Sequence, residues 1–169
     1  MTAHTLVVRE FLAEEWPVYR DLRLSALHES PDAYGSIYAA ESAQTDEEWA
    51  ERLARGVTSE GELPLIAEFD GEPSGLAWVR IEERAPESAH LYQMWVAPHC
   101  RRHGVGRALV DAATAWARAM GARQFELDVT CDNEVAIRLY EGAGFVVQGE
   151  SRPLRPGSVL RAQEMGHEL

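Results

Sequence analysis

The chain has 169 residues, of which 46% are hydrophobic and 26% are charged. This composition is typical of a globular protein and excludes wholesale disorder, so we expect residues 1–169 to form a single domain. The 16 basic and 28 acidic residues give a formal charge of −12. Such acidity argues against nucleic acid or an anionic membrane as the main partner. It suits a cationic substrate such as an amine, and it equally serves to keep a protein in solution.

The sequence predicts a cytoplasmic protein without a membrane span. Its first residues lack the basic region and apolar run of a secretory signal, and no run of about 18 apolar residues occurs anywhere. The two cysteines, Cys100 and Cys131, are too few for a disulfide framework. No pair with CxxC spacing indicates a metal, so we expect no metal site.

The first third of the chain predicts one strand and two helices. Residues 5–11 are rich in strand formers, and residues 14–28 have an apolar helical face with Pro17 in the first turn. Thr45 and Glu48 have the spacing of a capping box, which predicts a helix over residues 45–55.

The rest of the chain alternates between strands and helices. Hydrophobic runs and turn residues predict strands at 63–69, 75–81, 90–96, 125–130, 145–149 and 159–167. Helical periodicity predicts a long helix from Gly104 to Gly121 and a shorter one over 133–141. The predicted fold class is therefore α/β (or α+β), built on one central sheet.

The turn before the long helix carries the strongest chemical signal. A strand leads into two glycines, Gly104 and Gly106, and the helix starts directly after them. Unpaired N–H groups at a helix N-terminus bind anions, and glycine lets the backbone approach the anion closely. Three arginines concentrate positive charge in the same place: Arg101, Arg102 and Arg107.

This turn does not match the common nucleotide motifs. No Gly-Lys-Ser/Thr follows it, which excludes a P-loop, and it lacks the three-glycine spacing of a dinucleotide fingerprint. Two glycines alone could form a tight strand-to-helix turn. The arginines and the helix start together favour an anion site.

Two segments resemble a known family. The pattern Arg101-x-x-Gly104-x-Gly106 resembles the signature of the GNAT superfamily, and Asn133 to Phe145 resembles its second hallmark. The order of elements agrees as well. The resemblance implies a mixed, mostly antiparallel sheet flanked by helices. It also implies an acetyl-CoA-dependent N-acetyltransferase that acts on a primary amine of a small molecule or peptide.

The resemblance further implies how acetyl-CoA is held. The pyrophosphate is expected at the turn, and the pantetheine arm is expected between the strand that ends at Val96 and the 133–141 helix. Asn133, Ala136 and Tyr140 share one face of that helix by their spacing. The residues expected to bind the cofactor are Met94, Trp95, Val96, Arg101, Arg102, His103, Gly104, Val105, Gly106, Arg107, Asn133, Ala136 and Tyr140.

Tyr140 is the expected general acid, which protonates the leaving thiolate; the alternative is an ordinary core tyrosine. Direct transfer in a ternary complex needs no nucleophilic residue, so neither cysteine is expected to carry the acetyl group. His90 is the first choice as general base, with Glu126 and Asp128 as alternatives on the next strand.

The acceptor pocket is expected between residues 29–36 and 151–159. Asp32, Tyr34 and Tyr38 could bind a cationic amine, and Arg152 and Arg155 could pair with a carboxylate. The sequence does not identify the acceptor. It leaves open a non-catalytic acetyl-CoA sensor, an anion-binding domain unrelated to CoA, and a homodimer.

Overall fold

The computed structural model describes residues 2–169 and contains one seven-stranded sheet. The strands are β1 Leu6–Glu10, β2 Glu62–Phe69, β3 Glu72–Ile81, β4 Ser88–Val96, β5 Gln124–Thr130, β6 Val146–Pro153 and β7 Arg161–Glu168. Their order in the sheet is β1-β2-β3-β4-β5-β7-β6. The central pair, β4 and β5, is parallel, and the other neighbouring pairs are antiparallel. The predicted mixed, mostly antiparallel sheet is confirmed.

Within residues 2–169, five α-helices accompany the sheet: α1 Trp16–Glu29, α2 Tyr38–Ser42, α3 Asp46–Thr58, α4 Val105–Ala119 and α5 Glu134–Gly142. Short 3-10 turns lie at Ala13–Glu15, Pro31–Ala33 and Pro98–Cys100. No helix in the described part of the chain is both long and apolar enough to cross a bilayer.

Helices cover both faces of the sheet because its strands are apolar on both sides. Leu65 and Ala67 of β2 pack with α4 and α5, whereas Ile66 between them packs with α1 and α3. Strand side chains alternate between the two faces, so each face has its own core. We refer below to the α4/α5 face and the α1/α3 face.

The predicted helix signals are confirmed. Pro17 lies in the first turn of α1. Thr45 accepts a hydrogen bond from the N–H of Glu48, whose carboxylate accepts one from the N–H of Thr45, which completes the capping box of α3. Gly121 has φ +88° just after α4 ends, a conformation that glycine adopts without steric cost.

Several predicted boundaries were wrong. The β2–β3 hairpin turns tightly at Asp70 and Gly71, which both have positive φ, so β3 begins at Glu72 and not at residue 75. The last strand begins at Arg161 and not at 159, because Val159 lies in an open turn and is 93% exposed. Helix α2 was not predicted; its five residues are too few for a periodic pattern.

A β-bulge interrupts β4 beside β3. Leu76 pairs with Trp95 and Trp78 pairs with Tyr92, so β4 contains one more residue than β3 over this stretch. Gln93 lies in the bulge with φ +56°, and its side chain accepts a hydrogen bond of 2.7 Å from the buried Tyr19 hydroxyl. The bulge changes the direction of β4 at the centre of the sheet.

Beyond the bulge, β4 and β5 separate. Their parallel pairing joins Ser88–Leu91 to Gln124–Leu127 and then stops, although both strands continue. The second half of β4 therefore has no strand on the side facing β5. This leaves a gap within the sheet, between the two helical faces.

Candidate active site

A cleft of about 1060 Å³ occupies the gap between β4 and β5. Its lining includes Val105 and Tyr140 from the α4/α5 face, and Trp78 and Trp95 from the α1/α3 face. The cleft therefore opens toward both faces of the sheet. Two ligands could meet in the gap after entering from opposite sides.

The N-terminus of α4 lies at the cleft with free backbone donors. Ala108 makes the first hydrogen bond of the helix, to the carbonyl of Gly104 at 3.0 Å, so the N–H groups of residues 105–107 have no partner within the helix. Gly104 has φ +82°, and it lines the cleft together with Val105 and Gly106. This arrangement suits a phosphate group.

Gly106 lies where a side chain would obstruct the cleft. A Cβ at this position would lie 3.1 Å from Leu139 Cδ2 and 3.5 Å from Met94 Cε. The first contact is tight enough that Leu139 would have to shift by a few tenths of an ångström, whereas the second is an ordinary van der Waals contact. Glycine thus keeps space open between the start of α4, the end of β4 and α5, which is the space that a narrow chain such as pantetheine needs.

The three predicted arginines differ in their partners. Arg101 donates to the carbonyl of Val96 and to Glu29, at 3.0 and 2.9 Å. Arg107 donates to Asp111 and to the carbonyl of Gly142, both at 2.9 Å. The Arg102 guanidinium has no hydrogen-bond or ion-pair partner among residues 2–169, so it is the arginine most available to an anion.

His103 is directed away from the cleft. Its ring lies 5.0 Å from that of Phe69 and 5.5 Å from that of His4, and it is not among the residues that line the cleft. The expectation that His103 binds the cofactor therefore finds no support in the position of its side chain.

The end of β4 presents backbone groups to the gap. The carbonyl of Met94 accepts from the Tyr34 hydroxyl at 2.8 Å, and that of Val96 accepts from Arg101, so both carbonyls face side chains that line the cleft. The N–H and C=O of one strand residue point to the same edge. The N–H groups of Met94 and Val96 therefore face the gap, whereas Trp95 contributes its side chain.

Tyr140 lines the cleft from α5 with its ring in the core. The residue is 6% exposed and its ring packs edge-on against Phe145 at 5.9 Å. Burial raises the pKa of its hydroxyl well above the usual range for tyrosine. The hydroxyl makes no hydrogen bond within the described residues, so it is a protonated donor at the cleft without a partner.

Asn133 and Ala136 also line the cleft from α5. The Asn133 side chain caps the helix by accepting from the N–H of Ala136 at 3.2 Å. Its amide nitrogen remains free to donate, so capping does not prevent ligand binding.

His90 and Glu126 form a pair at the α1/α3 side of the gap. They are opposite each other in the β4–β5 register, and His90 Nε2 lies 3.1 Å from Glu126 Oε2. The imidazole stacks on Tyr92 and lines the cleft, whereas Glu126 does not line it. His90 can therefore reach a ligand directly, and Glu126 can hold the orientation of the ring.

The carboxylate of Asp128 already forms an ion pair with another residue. Asp128 lines the cleft, but its carboxylate pairs with Arg152 at 2.7 Å. Its Oδ2 is engaged by the Arg152 guanidinium and is not free to contact a ligand. Of the three candidates for general base, the geometry favours His90.

The predicted acceptor residues are only partly brought to the cleft. Tyr34 lines it, but Asp32 and Tyr38 do not, and Tyr38 instead packs against His28. Arg155 does not line the cleft either; it donates to the carbonyls of Pro31 and Tyr34 at 3.1 and 2.9 Å. These aromatic and acidic residues therefore do not form the expected pocket for a cationic amine.

The turn after α1 spans the gap from β4 to β5. The Tyr34 hydroxyl bonds to Met94 on β4, and the Thr130 hydroxyl on β5 donates to the carbonyl of Asp32 at 2.6 Å. Arg155 attaches the β6–β7 connection to the same turn. These side-chain bonds join the two strands where they share no backbone pairing.

Four arginines at the cleft were not predicted: Arg23, Arg52, Arg55 and Arg80. They come from α1, α3 and β3, and all lie on the α1/α3 side. They are scattered along the sequence and follow no motif. Only the packing of α1 and α3 on the sheet brings them together.

Comparison with known proteins agrees with this architecture. The model of the Acetyltransferase (GNAT) family matches residues 12–145. A GNAT-family acetyltransferase from Streptococcus pneumoniae has the same fold, with a TM-score of 0.82 at 23% identity, covering 98% of this chain and 99% of that one.

Curated relatives agree as well. Aminoglycoside N(6')-acetyltransferase type 1 from Klebsiella aerogenes is 34% identical over 113 residues, which cover 64% of this chain and 74% of that protein. Mycothiol acetyltransferase from Propionibacterium freudenreichii subsp. shermanii is 29% identical over 129 residues. That match covers 76% of this chain but 41% of the relative, so the chain spans under half of that protein's length. On the family match, the shared fold and the signature turn at the start of α4, the chain belongs to the GNAT acetyltransferase family.

Proposed function

We propose that this protein, within a single domain, transfers the acetyl group of acetyl-CoA to a primary amine of a small molecule or peptide. The observation that carries the proposal is the gap between β4 and β5, which combines an anion site at α4 with a free tyrosine hydroxyl and a histidine–carboxylate pair. These are the parts that acyl transfer from a thioester to an amine requires.

The residues present fit acetyl-CoA. The free N–H groups at the start of α4 and the unpaired Arg102 suit the pyrophosphate. The space above Gly106 suits the pantetheine arm, and the N–H groups of Met94 and Val96 suit its amides and the thioester carbonyl. Acetyl-CoA supplies the activated acetyl group.

Two side chains move the protons. His90 accepts the proton that the ammonium form of the acceptor must lose before its nitrogen can attack, and Glu126 orients the imidazole. The β4 N–H groups stabilise the charge that develops on the carbonyl oxygen. Tyr140, which its raised pKa keeps protonated, donates its proton to the leaving sulfur, and the second proton released by the acceptor nitrogen restores the hydroxyl.

The two faces of the sheet separate the ligands. The phosphate-binding elements lie on the α4/α5 face, and His90 lies on the α1/α3 face because it alternates with the core residue Leu91. We therefore assign the donor to the first face and the acceptor to the second. Both can be bound at once, so transfer needs no acetylated intermediate on Cys100 or Cys131, and Cys100 is buried.

Ligand-dependent stability tests the proposal first. A ligand that binds the folded protein raises its unfolding temperature, so acetyl-CoA and CoA should do so and ATP should not. Thiol release in the presence of an amine panel then measures turnover. No shift at millimolar acetyl-CoA, together with no thiol release from any amine, would reject the proposal.

A further inference from the structure

The acceptor side of the cleft is basic in a strongly acidic protein. Among the described residues that line the cleft, seven are arginines and one, Asp128, is acidic. Three of the arginines (Arg101, Arg102 and Arg107) lie at the phosphate site. The other four (Arg23, Arg52, Arg55 and Arg80) lie on the α1/α3 side, which the donor does not need. Their presence there requires a different explanation.

Arg23 is the most informative of the four. Its side chain is 4% exposed, and its Nε and Nη2 donate to the two oxygens of Glu41 at 3.2 and 2.9 Å. Its Nη1 is buried and has no hydrogen-bond partner in the described part of the chain. A buried charged donor without a partner costs free energy. Because Arg23 lines the cleft, a bound acceptor is the available source of that partner.

Glu41 does not neutralise this region. It is shared between Arg23 and Arg52, whose Nη1 donates to it at 2.7 Å, so two positive charges share one negative charge. Burial acts to raise the pKa of Glu41, but the two arginines outweigh this effect and lower it, so the carboxyl is ionised. The cluster of these three residues retains one net positive charge.

Arg55 and Arg80 extend the basic surface. The Arg55 guanidinium has no partner within residues 2–169, whereas Arg80 pairs with Glu62 at 3.2 Å and remains 43% exposed. Arg80 is opposite His90 in the β3–β4 register, which places it on the same face as the base. Arg80 thus lies beside the place where the amine must lose its proton, and the His90–Glu126 pair lies next to it.

We infer that the acceptor carries a carboxylate in addition to its amine, and that Arg23 and Arg55 bind that carboxylate. The inference rests on the proposed function and specifies its acceptor as an amino acid or another small molecule that contains both an amine and a carboxylate. Guanidinium groups form two parallel hydrogen bonds with a carboxylate, which fixes the orientation of the acceptor as well as its affinity. The amine then faces His90.

Matched pairs of acceptors test this inference. The pairs are L-leucine with L-leucinamide, 4-aminobutyrate with its amide, and 6-aminohexanoate with its amide. They vary the distance between amine and carboxylate, and each amide replaces the carboxylate by a neutral group of similar size. We expect at least one acid to exceed its amide in kcat/KM by about 100-fold, the loss typical of an unpaired charged hydrogen bond. The leucinamide amine is the less basic of its pair, so a larger fraction of it is neutral at a given pH, and easier deprotonation therefore cannot explain a preference for leucine.

A second readout does not depend on turnover. The unfolding temperature of the protein saturated with CoA should rise with the preferred acid and not with its amide. Arg23→Gln and Arg55→Gln should each reduce both the rise and the kinetic preference. Arg20→Gln is the matched control, because Arg20 lies on α1 but pairs with Asp21 and Asp46 outside the cleft. If Arg23→Gln does not fold, Arg55→Gln serves alone, since its side chain is partly exposed and makes no bond to lose.

The outcomes separate the inference from the proposed function. Equal use of acids and amides by a protein that binds CoA would overturn the inference and leave the acetyltransferase proposal intact. A preference that survives in both arginine variants would also overturn it, as would the absence of any shift or turnover with all three acids. Failure of the proposed function would appear instead as no stabilisation by CoA or acetyl-CoA.

Discussion

His90 Nε2 lies 3.1 Å from Glu126 Oε2, one residue pair before the β4–β5 pairing ends. We expect His90→Ala to lower kcat/KM by about 100-fold, the usual contribution of a general base. As the group that accepts the acceptor's proton, His90 should also shape the pH–rate profile, so the profile of the variant should differ from that of the parent. Glu126→Gln should lower the rate by a smaller factor, since the imidazole remains and loses only its orientation.

The control for this pair is His28→Ala, since His28 is exposed and packs edge-on against Tyr38 away from the cleft. Steady-state rates from pH 5 to 9 provide the comparison. An unchanged pH–rate profile in His90→Ala would remove His90 as the base.

Tyr140→Phe should separate catalysis from binding. The ring still packs on Phe145, so stability and CoA affinity should be unchanged, while kcat falls by about 100-fold because the thiolate loses its proton donor. Titration calorimetry with CoA and a thiol-release assay measure the two quantities. Tyr38→Phe, on an exposed tyrosine outside the cleft, is the control. Full turnover by Tyr140→Phe would show that the thiolate leaves without this proton.

Arg102→Gln should weaken CoA binding without affecting stability. Arg102 has no partner within the described residues, so its loss breaks no internal bond, and an exposed charge near a helix N-terminus contributes about two- to fivefold in affinity. Arg118→Gln is the matched control, because Arg118 lies in the last turn of the same helix. Dissociation constants for CoA at low and high salt are the measurement, and the difference between the variants should shrink as salt rises. Equal CoA affinities of the Arg102→Gln and Arg118→Gln variants at low salt would contradict a role of Arg102 in CoA binding.

The lowered pKa of the Glu29 carboxyl predicts that the protein loses stability as the pH falls into the acidic range. Partial burial acts to raise the pKa of its carboxyl, but hydrogen bonds from Arg101, Ser30 and Trp95 outweigh burial and lower it to about 2. A lowered pKa stabilises the fold above the ordinary value of 4.5, and this stabilisation is lost as pH falls from there toward 2.

Glu29→Gln should therefore be less stable than the parent at pH 7, and the difference should diminish between pH 4.5 and 2. Urea unfolding at several pH values measures the two free energies. Glu60→Gln, at an exposed turn, should show no such convergence. A difference that stays constant down to pH 2 would mean that Glu29 acts by packing rather than by charge.

Gly56 of α3 should not tolerate alanine. At a solvent-exposed position of a helix, replacing glycine by alanine stabilises the fold. At residue 56, however, a Cβ would overlap the indole of Trp78 and force it to move. We expect a loss of about 1–3 kcal/mol in the free energy of unfolding, the usual cost of overpacking. Gly142→Ala in α5 is the control, because the nearest atom to its Cβ would be Arg107 Nη1 at 3.9 Å. Equal effects of the two changes on urea unfolding would contradict the overlap.

The donor half of the site could be predicted from the sequence because it is local. Gly104 and Gly106 occur with their arginines in one short segment, and Asn133 and Tyr140 lie on one helix. Their spacing alone places these groups on shared faces. The structure refines this half by directing His103 to Phe69 and by leaving Arg102 as the unpaired arginine.

The acceptor half could not be predicted because it depends on packing between distant segments. Arg23 and Arg80 are more than fifty residues apart, and the fold of α1 on the sheet brings both to the cleft. The net charge of −12 suggested a cationic acceptor, but it describes the whole surface and not the cleft, whose lining is basic. The bulge at Gln93 likewise depends on the register between β3 and β4, which no single segment encodes.

The bonds of the 31–34 turn to Met94 and Thr130 fix the separation of β4 and β5 by side chains instead of by backbone pairing. Strands joined by backbone hydrogen bonds lie at one fixed distance, about 4.8 Å. Changing their register by one residue would move every side chain of a strand to the other face of the sheet. Side-chain bonds can be exchanged one at a time. The aperture of the gap can therefore be widened or narrowed by single substitutions at Tyr34 or Thr130, so acceptors of different size are within evolutionary reach while both cores stay as they are.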